Sequence, residues 1–243
     1  MISLDKHEDG VYRLTHPFPE LEIGVAARSA NPADYSGAPE AARRREKEFL
    51  KAVTGIGARD IVTLDQEHGD TILFINEPPR EERLIYGAAD GLLTRLPEIC
   101  LVIRTADCVP VFIFDQRRRV LGAAHSGWRG TRLAIARTLA REMARRAGSE
   151  YPDLRVFILP AIGPSSYTIG RDVAGLFPRD TEEKDGGIYL DLRGNIERTL
   201  ADEGIPAENI FCARTCTLES NREFFSHRAG DRGRNLNYGI MRF

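Results

Sequence analysis

Three side chains of types that suit metal binding lie near the ends of predicted strands, namely His68, Cys108 and His125. Each is close to a glycine, proline or aspartate at the edge of an apolar run, where side chains from different strands can meet in one pocket. Two imidazoles and one thiolate would leave the fourth position of a tetrahedral zinc site open, as a catalytic zinc requires. The spacing matches no local metal motif, so the residues alone leave open both a shared site and three separately satisfied core residues.

The segment AAHSGWRGT, residues 123 to 131, leads into a predicted helix and combines small residues with a cation. Gly127 and Gly130 let a ligand approach the backbone closely, and Arg129 adds a positive charge. Because free amides at a helix N-terminus attract anions, this turn is predicted to seat a phosphate. The alternative for Arg129 is an ordinary surface or packing arginine. The Walker spacing GxxxxGK[ST] is absent here, so ATP hydrolysis is not indicated.

Two further positions are candidates for the site. Asp107 directly precedes Cys108 and is predicted to be a hydrogen-bond acceptor or an anchor behind the site; it is kept, with Cys108 and Arg129, as a catalytic candidate. Arg228 and His227 lie in the late loop FFSHRAG. A lid that places Arg228 over an anionic substrate is one interpretation, and a solvated flexible loop is the other.

The elements that must position these residues are strands and helices in alternation. The apolar positions Ile61, Val62 and Leu64 predict a strand before His68, and the runs LVI and VFIF predict strands covered on both faces. Pro110 removes a backbone donor and predicts a break next to Cys108. Apolar periodicity predicts one helix over Thr131 to Ala147 and shorter ones over residues 41–53 and about 172–177. The segment IYLDLRGNIERTLADEG predicts a strand end, a turn and a helix of roughly three turns that is closed by Gly204. No composition break divides the chain, which predicts a single domain over residues 1–243.

Charge and composition exclude several classes of function. The formal net charge is -2 over 243 residues, so no general attraction to nucleic acid or to an anionic membrane is expected. No apolar run reaches the roughly 20 residues that span a bilayer, and the N-terminus lacks the pattern of a secretion signal. A cytoplasmic protein with four reduced cysteines is therefore expected.

Several blocks of the sequence resemble one family. TADCVPVF at residues 105–112 and AAHSGWRGT at residues 123–131 strongly resemble the laccase-domain family of YfiH and YlmD type. The resemblance extends in order through QEHGD, ADGLLT, AIGPSSYTIG and FFSHR, at residues 66–70, 89–94, 161–170 and 224–228. Members have been described as polyphenol oxidases, purine nucleoside phosphorylases and a peptidoglycan editing factor.

The resemblance implies a ligand set and a fold. It implies that His68, Cys108 and His125 bind zinc, with copper less favoured. It implies an α+β (mixed α/β) fold, with central mixed β-sheets flanked by helices, related to the cysteine hydrolase fold of a bacterial cytotoxic factor. The chain departs from the family pattern at Glu67 and His227, which bears on substrate preference, and at Ser165 and Ser166, where cysteines are common.

The main hypothesis for function is zinc-dependent phosphorolysis of adenosine, inosine and methylthioadenosine, with hydrolytic deamination of adenosine as an additional activity. Phosphorolysis needs a phosphate seat beside the anomeric carbon, support for developing charge and a proton donor to the base. Arg129, Gly127, Gly130 and Arg228 are predicted to bind substrate or phosphate. Asp107, Glu67 and His227 are the candidate donors, and the protein is expected to be a monomer or a weak homo-oligomer.

Three alternatives use the same residues. A multicopper oxidase needs about ten histidines for its blue and trinuclear centres, and the chain has five; of these, His7 and His16 are predicted to lie at the surface. A weaker copper-dependent oxidation of phenols remains open. Cys108 could act as a nucleophile with His125 as base, hydrolysing an amide of a peptidoglycan precursor. Finally, a closed metal site with a fourth protein ligand would indicate a binding module without catalysis.

Overall fold

A computed structural model describes residues 2–30 and 38–243. The helices are α1 (Pro39–Thr54), α2 (Trp128–Arg132), α3 (Ile135–Ala147), α4 (Arg171–Ala174) and α5 (Leu192–Asp202). The strands are β1 (Ser3–Lys6), β2 (Val11–Thr15), β3 (Leu21–Ala26), β4 (Ile61–Val62), β5 (Leu64–Asp65), β6 (Ile72–Ile75), β7 (Gly87–Ala88), β8 (Gly91–Thr94), β9 (Cys100–Thr105), β10 (Val109–Asp115), β11 (Val120–Ser126), β12 (Arg155–Ile158), β13 (Thr168–Ile169), β14 (Thr181–Lys184), β15 (Gly187–Leu190), β16 (Ile210–Cys212) and β17 (Asn235–Met241). Within these ranges, no helix has the length and apolar character needed to cross a membrane.

Two six-stranded mixed sheets form the centre of the protein. The first has the strand order β1-β2-β3-β17-β9-β4, and the second has the order β16-β12-β10-β11-β8-β6. Most neighbours are antiparallel, but β4 pairs with β9, β6 with β8 and β12 with β16 in parallel. A three-stranded sheet (β13-β15-β14) and the short pair β5-β7 complete the described strands.

Alternating side chains place the two large sheets face to face. In β9, Leu101 and Ile103 belong to the core between the sheets, while Cys100 and Val102 belong to the core on the other face, beneath α1. In β10, Phe112 and Phe114 fill the same central core, and the intervening positions pack under α3 and α5. Because successive residues of a strand point to opposite faces, continuous apolar strands create a four-layer helix, sheet, sheet, helix arrangement.

The predicted helix over residues 131–147 is wrong in its extent. The chain forms α2 and then α3, separated at Ala134, whose φ of 57° is left-handed and cannot continue a right-handed helix. Leu133 is 50% exposed and does not join the buried stripe of α3. The helix predicted over residues 172–177 is also wrong in its extent, because α4 covers only Arg171–Ala174. The helix predicted over residues 41–53 and the three-turn helix predicted before Gly204 are confirmed as α1 and α5.

The turn at residues 106–108 carries the chain from one large sheet to the other. β9 ends at Thr105 in the first sheet, and β10 begins at Val109 in the second. Pro110 is the second residue of β10 and lies opposite His125 of β11. The break that this proline predicted therefore lies before β10, in the turn at residues 106–108. The mixed α and β class is confirmed, while relation to a cysteine hydrolase fold stays a prediction.

Candidate metal centre

His68, Cys108 and His125 meet at one point, although they come from three distant parts of the chain. One ligand atom from each lies within 4.8 Å of the other two, and the two imidazole rings are nearly perpendicular with centroids 4.8 Å apart. His68 lies in the loop between β5 and β6, Cys108 ends the turn between the large sheets, and His125 lies near the end of β11. The structure thus favours a shared site over three separate core residues.

Asp90 fixes two of the three residues. Its Oδ1 lies 2.7 Å from Nδ1 of His125, and both side chains are buried. This contact leaves Nε2 of His125 as the nitrogen available to a metal ion. The same carboxylate accepts hydrogen bonds from the backbone amides of Glu67, His68 and Gly69, at 2.7–3.0 Å. Those amides hold His68 at a φ of 63°, an uncommon conformation for a residue other than glycine.

Sequence reasoning assigned no role to Asp90. The available signal was its place in ADGLLT, where an aspartate directly precedes a buried strand. Imidazole ligands commonly donate their second ring nitrogen to a carboxylate. Periodicity could not show that β8, which follows Asp90, pairs with β11, which carries His125.

Electrostatics favour a thiolate between two imidazoles. Burial alone would raise the pKa of Cys108, but hydrogen bonds with His125 and His68 outweigh burial and lower the pKa. Burial would lower the pKa of His125, whereas its hydrogen bonds with Asp90 and Cys108 raise it. An anionic sulfur held by two imidazoles is the form in which cysteine acts either as a metal ligand or as a nucleophile.

The donor set fits a metal ion. One sulfur and two nitrogens are a typical three-ligand set for catalytic zinc, and the carboxylate behind His125 supplies the usual orienting contact. Space for the sulfur depends on Gly127, because a Cβ there would lie 2.9 Å from Sγ of Cys108 and 3.2 Å from Cδ2 of His68. Within the described residues, this is the only cluster of three or more His, Cys, Asp or Glu side chains with metal-binding geometry.

Asp107 lies beside the centre but points its carboxylate towards the late loop. It accepts hydrogen bonds from Oγ1 of Thr217 at 2.7 Å, from Oγ of Ser226 at 3.0 Å and from the amide of Arg228 at 2.8 Å. Asp107 has a φ of 82°, a conformation that aspartate tolerates better than most residues. These contacts match the hydrogen-bond acceptor that the sequence suggested, and a catalytic role for Asp107 stays a prediction.

Two cavities meet at the centre and share a wall formed by His68, Ala106, Cys108 and His227. The first, of about 360 Å³, is also lined by Arg43, Asp65, Gln66, Arg104, His125 and Arg234 and is called the arginine cavity. The second, of about 290 Å³, is also lined by Trp128, Arg129, Ile162, Tyr167, Leu192 and Arg228 and is called the aromatic cavity. The centre therefore faces two chemically different spaces.

Phosphate binding at the turn of residues 127–131 stays a prediction. The amide of Thr131 donates to the carbonyl of Gly127, and α2 has only five residues. A Cβ on Gly130 would lie 3.2 Å from the carbonyl oxygen of Gly69 and 3.3 Å from that of His125, so Gly130 permits close backbone packing. Arg129 is exposed and lies over the ring of Trp128 at 4.6 Å.

Arg228 does face the centre from the late loop. Its guanidinium donates to Oγ1 and to the carbonyl of Thr168, at 3.0 and 2.7 Å, and lies 4.8 Å from the ring centroid of Tyr167. His227 lines both cavities. Of the two histidines predicted at the surface, His7 is exposed, but His16 is half-buried and packs against Phe18 and Phe157, which corrects that prediction.

Comparisons with known proteins agree with this geometry. A family model described as multi-copper polyphenol oxidoreductase laccase matches residues 21–242. A protein of Bacteroides thetaiotaomicron named purine nucleoside phosphorylase is 31% identical over 88% of this chain and 84% of its own length. A protein of an unknown prokaryote named adenosine deaminase RL5 is 27% identical over 94% of each chain. The crystal structure of YlmD from Geobacillus stearothermophilus superposes with a TM-score of 0.90 at 25% identity, covering 99% of both chains.

Proposed function

We propose that this chain is a zinc-dependent purine nucleoside phosphorylase. It belongs to the family described as multi-copper polyphenol oxidoreductase laccase, as its sequence motifs predicted. The proposed substrates are adenosine, inosine, methylthioadenosine and inorganic phosphate. The observation that carries the proposal is the His68, Cys108 and His125 cluster, set between two cavities of different chemistry. The relative named purine nucleoside phosphorylase supports the choice of reaction. A cytoplasmic location, where thiols stay reduced, fits it as well.

The proposed reaction exchanges one bond for another at the anomeric carbon. An oxygen of phosphate forms a bond to C1′ of the ribose while the bond from C1′ to N9 of the purine breaks. The electron pair of the broken bond passes to the purine, which takes up a proton and leaves as the free base. The second product is ribose 1-phosphate, or its methylthio derivative when the substrate is methylthioadenosine.

The residues of the centre have separate tasks in this proposal. His68, Cys108 and His125 would hold the metal ion, and Asp90 keeps the ring of His125 in the orientation that presents Nε2. A bound zinc ion would supply a Lewis-acid charge with one open coordination position. Asp107 holds the loop that carries His227 and Arg228 against the centre. His227, which lines both cavities, is placed to exchange a proton with substrate on either side.

Hydrolytic deamination of adenosine is proposed as a further activity of the same centre. It is supported by the relative named adenosine deaminase RL5, which matches 94% of the chain. In this reaction water replaces the amino group at C6 of the purine, and the products are inosine and ammonia. The reaction does not consume phosphate, so it can be separated from phosphorolysis by its products alone.

A cysteine hydrolase is the alternative that one observation favours directly. The closeness of Cys108 to the two histidines, which lowers the pKa of its thiol, would also prepare a thiolate to attack an amide, for example in a peptidoglycan precursor. Five histidines cannot build the roughly ten-histidine set of blue and trinuclear copper centres, so the copper alternative is limited to a weaker oxidation of phenols at the three ligands. Metal analysis of protein purified without added metal separates zinc from copper.

Product analysis tests the proposal. Purified protein with zinc is incubated with adenosine, inosine or methylthioadenosine, with and without phosphate, and the His125→Ala variant serves as the inactive control. Free base, which is adenine from adenosine and methylthioadenosine and hypoxanthine from inosine, supports phosphorylase activity if it forms together with the sugar 1-phosphate and only with phosphate. Inosine and ammonia formed from adenosine in either buffer indicate deaminase activity. Absence of free base from all substrates in phosphate overturns the phosphorylase, and activity on amides that survives removal of metal by a chelator supports the hydrolase.

A further inference from the structure

We propose that inorganic phosphate binds in the arginine cavity, against the guanidinium of Arg43, and that the purine base binds in the aromatic cavity on the other side of the centre. This inference rests on the proposed function. A displacement at C1′ needs its incoming oxygen and its departing base on opposite sides of the carbon. Two cavities that share the wall of His68, Ala106, Cys108 and His227 provide two such sides.

Arg43 supplies the observation that carries the inference. Its side chain is 16% exposed, and Nη2 donates to Oδ1 of Asp65 at 3.0 Å. Nη1 is buried and has no hydrogen-bond partner among the described residues. Buried polar groups are almost always satisfied, and an unsatisfied charged donor is costly. Nη1 is not open to the cavity in this position of the side chain, so an anion in the cavity that Arg43 lines would satisfy this donor after a rotation of the guanidinium.

The rest of the lining adds positive charge. Arg104 and Arg234 also line the arginine cavity, whereas Asp65 is its one carboxylate among the described residues. Arg104 contacts Glu46, which lies behind the lining, at 3.0 Å. Guanidinium groups suit phosphate because their fixed fork of donors matches two phosphate oxygens.

The aromatic cavity suits the base better than phosphate. Trp128 and Tyr167 offer flat rings, and the guanidiniums of Arg129 and Arg228 lie over them at 4.6 and 4.8 Å. Purines stack readily on aromatic rings and on guanidinium planes. The carboxylate of Asp107 belongs to this lining and would repel a phosphate dianion. The arginine cavity therefore replaces the turn at residues 127–131 as the proposed phosphate seat.

Direct binding measurements test this assignment without depending on turnover. Binding of inorganic phosphate alone and of inosine alone, which has no amino group to lose, is measured by calorimetry on the wild type, Arg43→Met, Arg43→Lys, Arg129→Met and Arg44→Met. Arg44 is the exposed neighbour of Arg43 on α1, which makes Arg44→Met a matched control. Thermal melting shows whether each variant is folded.

Arg43→Met is expected to weaken phosphate binding about tenfold or more, since a charge-assisted hydrogen bond is lost. Arg43→Lys is expected to recover part of that affinity, and Arg44→Met to have no effect. Arg129→Met is expected to weaken inosine binding and to leave phosphate binding unchanged. Unchanged phosphate affinity in folded Arg43→Met, or a loss confined to Arg129→Met, overturns the assignment. If phosphate binding depends on Arg43 but the wild type forms no ribose 1-phosphate, the phosphate site is supported and the proposed phosphorylase activity is rejected.

Discussion

Oδ1 of Asp90 lies 2.7 Å from Nδ1 of His125, and the same buried carboxylate accepts the amide of His68 at 3.0 Å. One side chain therefore sets the orientation of one imidazole and the backbone of the other. His125 also donates its own amide to the carbonyl of Asp90 at 2.8 Å. Asp90 thus fixes His68 and His125 relative to each other in the candidate metal centre.

Asp90→Asn is expected to weaken metal binding while leaving most of the fold intact. The amide cannot supply two charged acceptor oxygens, so the ring of His125 and the amides of Glu67, His68 and Gly69 lose their common partner. Loss of such an orienting contact typically lowers metal affinity about 10- to 100-fold. Zinc affinity is measured by competition with a chromogenic chelator.

The matched control for this measurement is Asp70→Asn, because Asp70 is exposed and close to His68 in sequence. Zinc affinity equal to wild type in Asp90→Asn would show that Asp90 does not orient the ligands. Equal losses in both variants would point to a general charge effect rather than to the contact with His125.

Gly127→Ala is expected to displace the thiolate without straining the backbone. Its φ of -75° suits any residue, but the new Cβ would lie 2.9 Å from Sγ of Cys108. We expect a loss of bound zinc and of any phosphorolysis, with a melting temperature close to wild type. Zinc content after dialysis and ribose 1-phosphate formation are the measurements. Gly57→Ala is the control, because its Cβ would meet only Oδ2 of Asp60 at 3.5 Å; full zinc content in Gly127→Ala would contradict the steric argument.

Asp107→Asn tests whether this residue positions the late loop. The asparagine replaces one acceptor oxygen by an NH₂ group that cannot accept from the amide of Arg228 or from Ser226 as the carboxylate does. We expect a destabilisation of about 1–3 kcal/mol and a raised KM for nucleoside, because His227 and Arg228 are less firmly held. Urea unfolding and steady-state kinetics are compared with Asp202→Asn, an exposed site. A fall in kcat alone, with KM and stability unchanged, would favour direct catalysis by Asp107 instead.

His16 is expected to make stability fall in mild acid. Burial lowers its pKa below the ordinary value of 6.5, against a smaller opposing effect of Glu20 and of the backbone at Leu21. As pH falls through 6.5, the unfolded chain takes up a proton that the folded chain does not, so the free energy of unfolding decreases. That loss stops once pH is below the folded pKa.

The test uses His16→Asn, which keeps a side-chain acceptor for the amide of Phe18, now bonded to Nδ1 at 3.2 Å. Urea unfolding is compared at pH 7.5 and 5.5. The variant should lose less stability than wild type between these values, although it is less stable at both because the ring contacts with Phe18 and Phe157 are gone. An identical pH dependence in the two proteins would exclude a contribution of His16.

The amino-acid sequence by itself determined the residue types at the centre and the class of fold. Residue chemistry singled out His68, Cys108 and His125, and the motifs around Cys108 and His125 identified the family. Apolar strands and amphipathic helices were visible because side-chain periodicity follows directly from local backbone geometry. The interruption at Ala134 was missed, since a left-handed residue between two helical stretches leaves the apolar pattern nearly unchanged.

Only the tertiary structure decided what surrounds the three residues. Asp90 reaches His125 because β8 pairs with β11, and Asp107 reaches Ser226 and Arg228 across 119 and 121 residues of the chain. Arg43 reaches the arginine cavity from α1, a helix that the sequence connects to no site. Such contacts depend on how sheets and helices pack over long separations in the chain, and local periodicity carries no information about that packing.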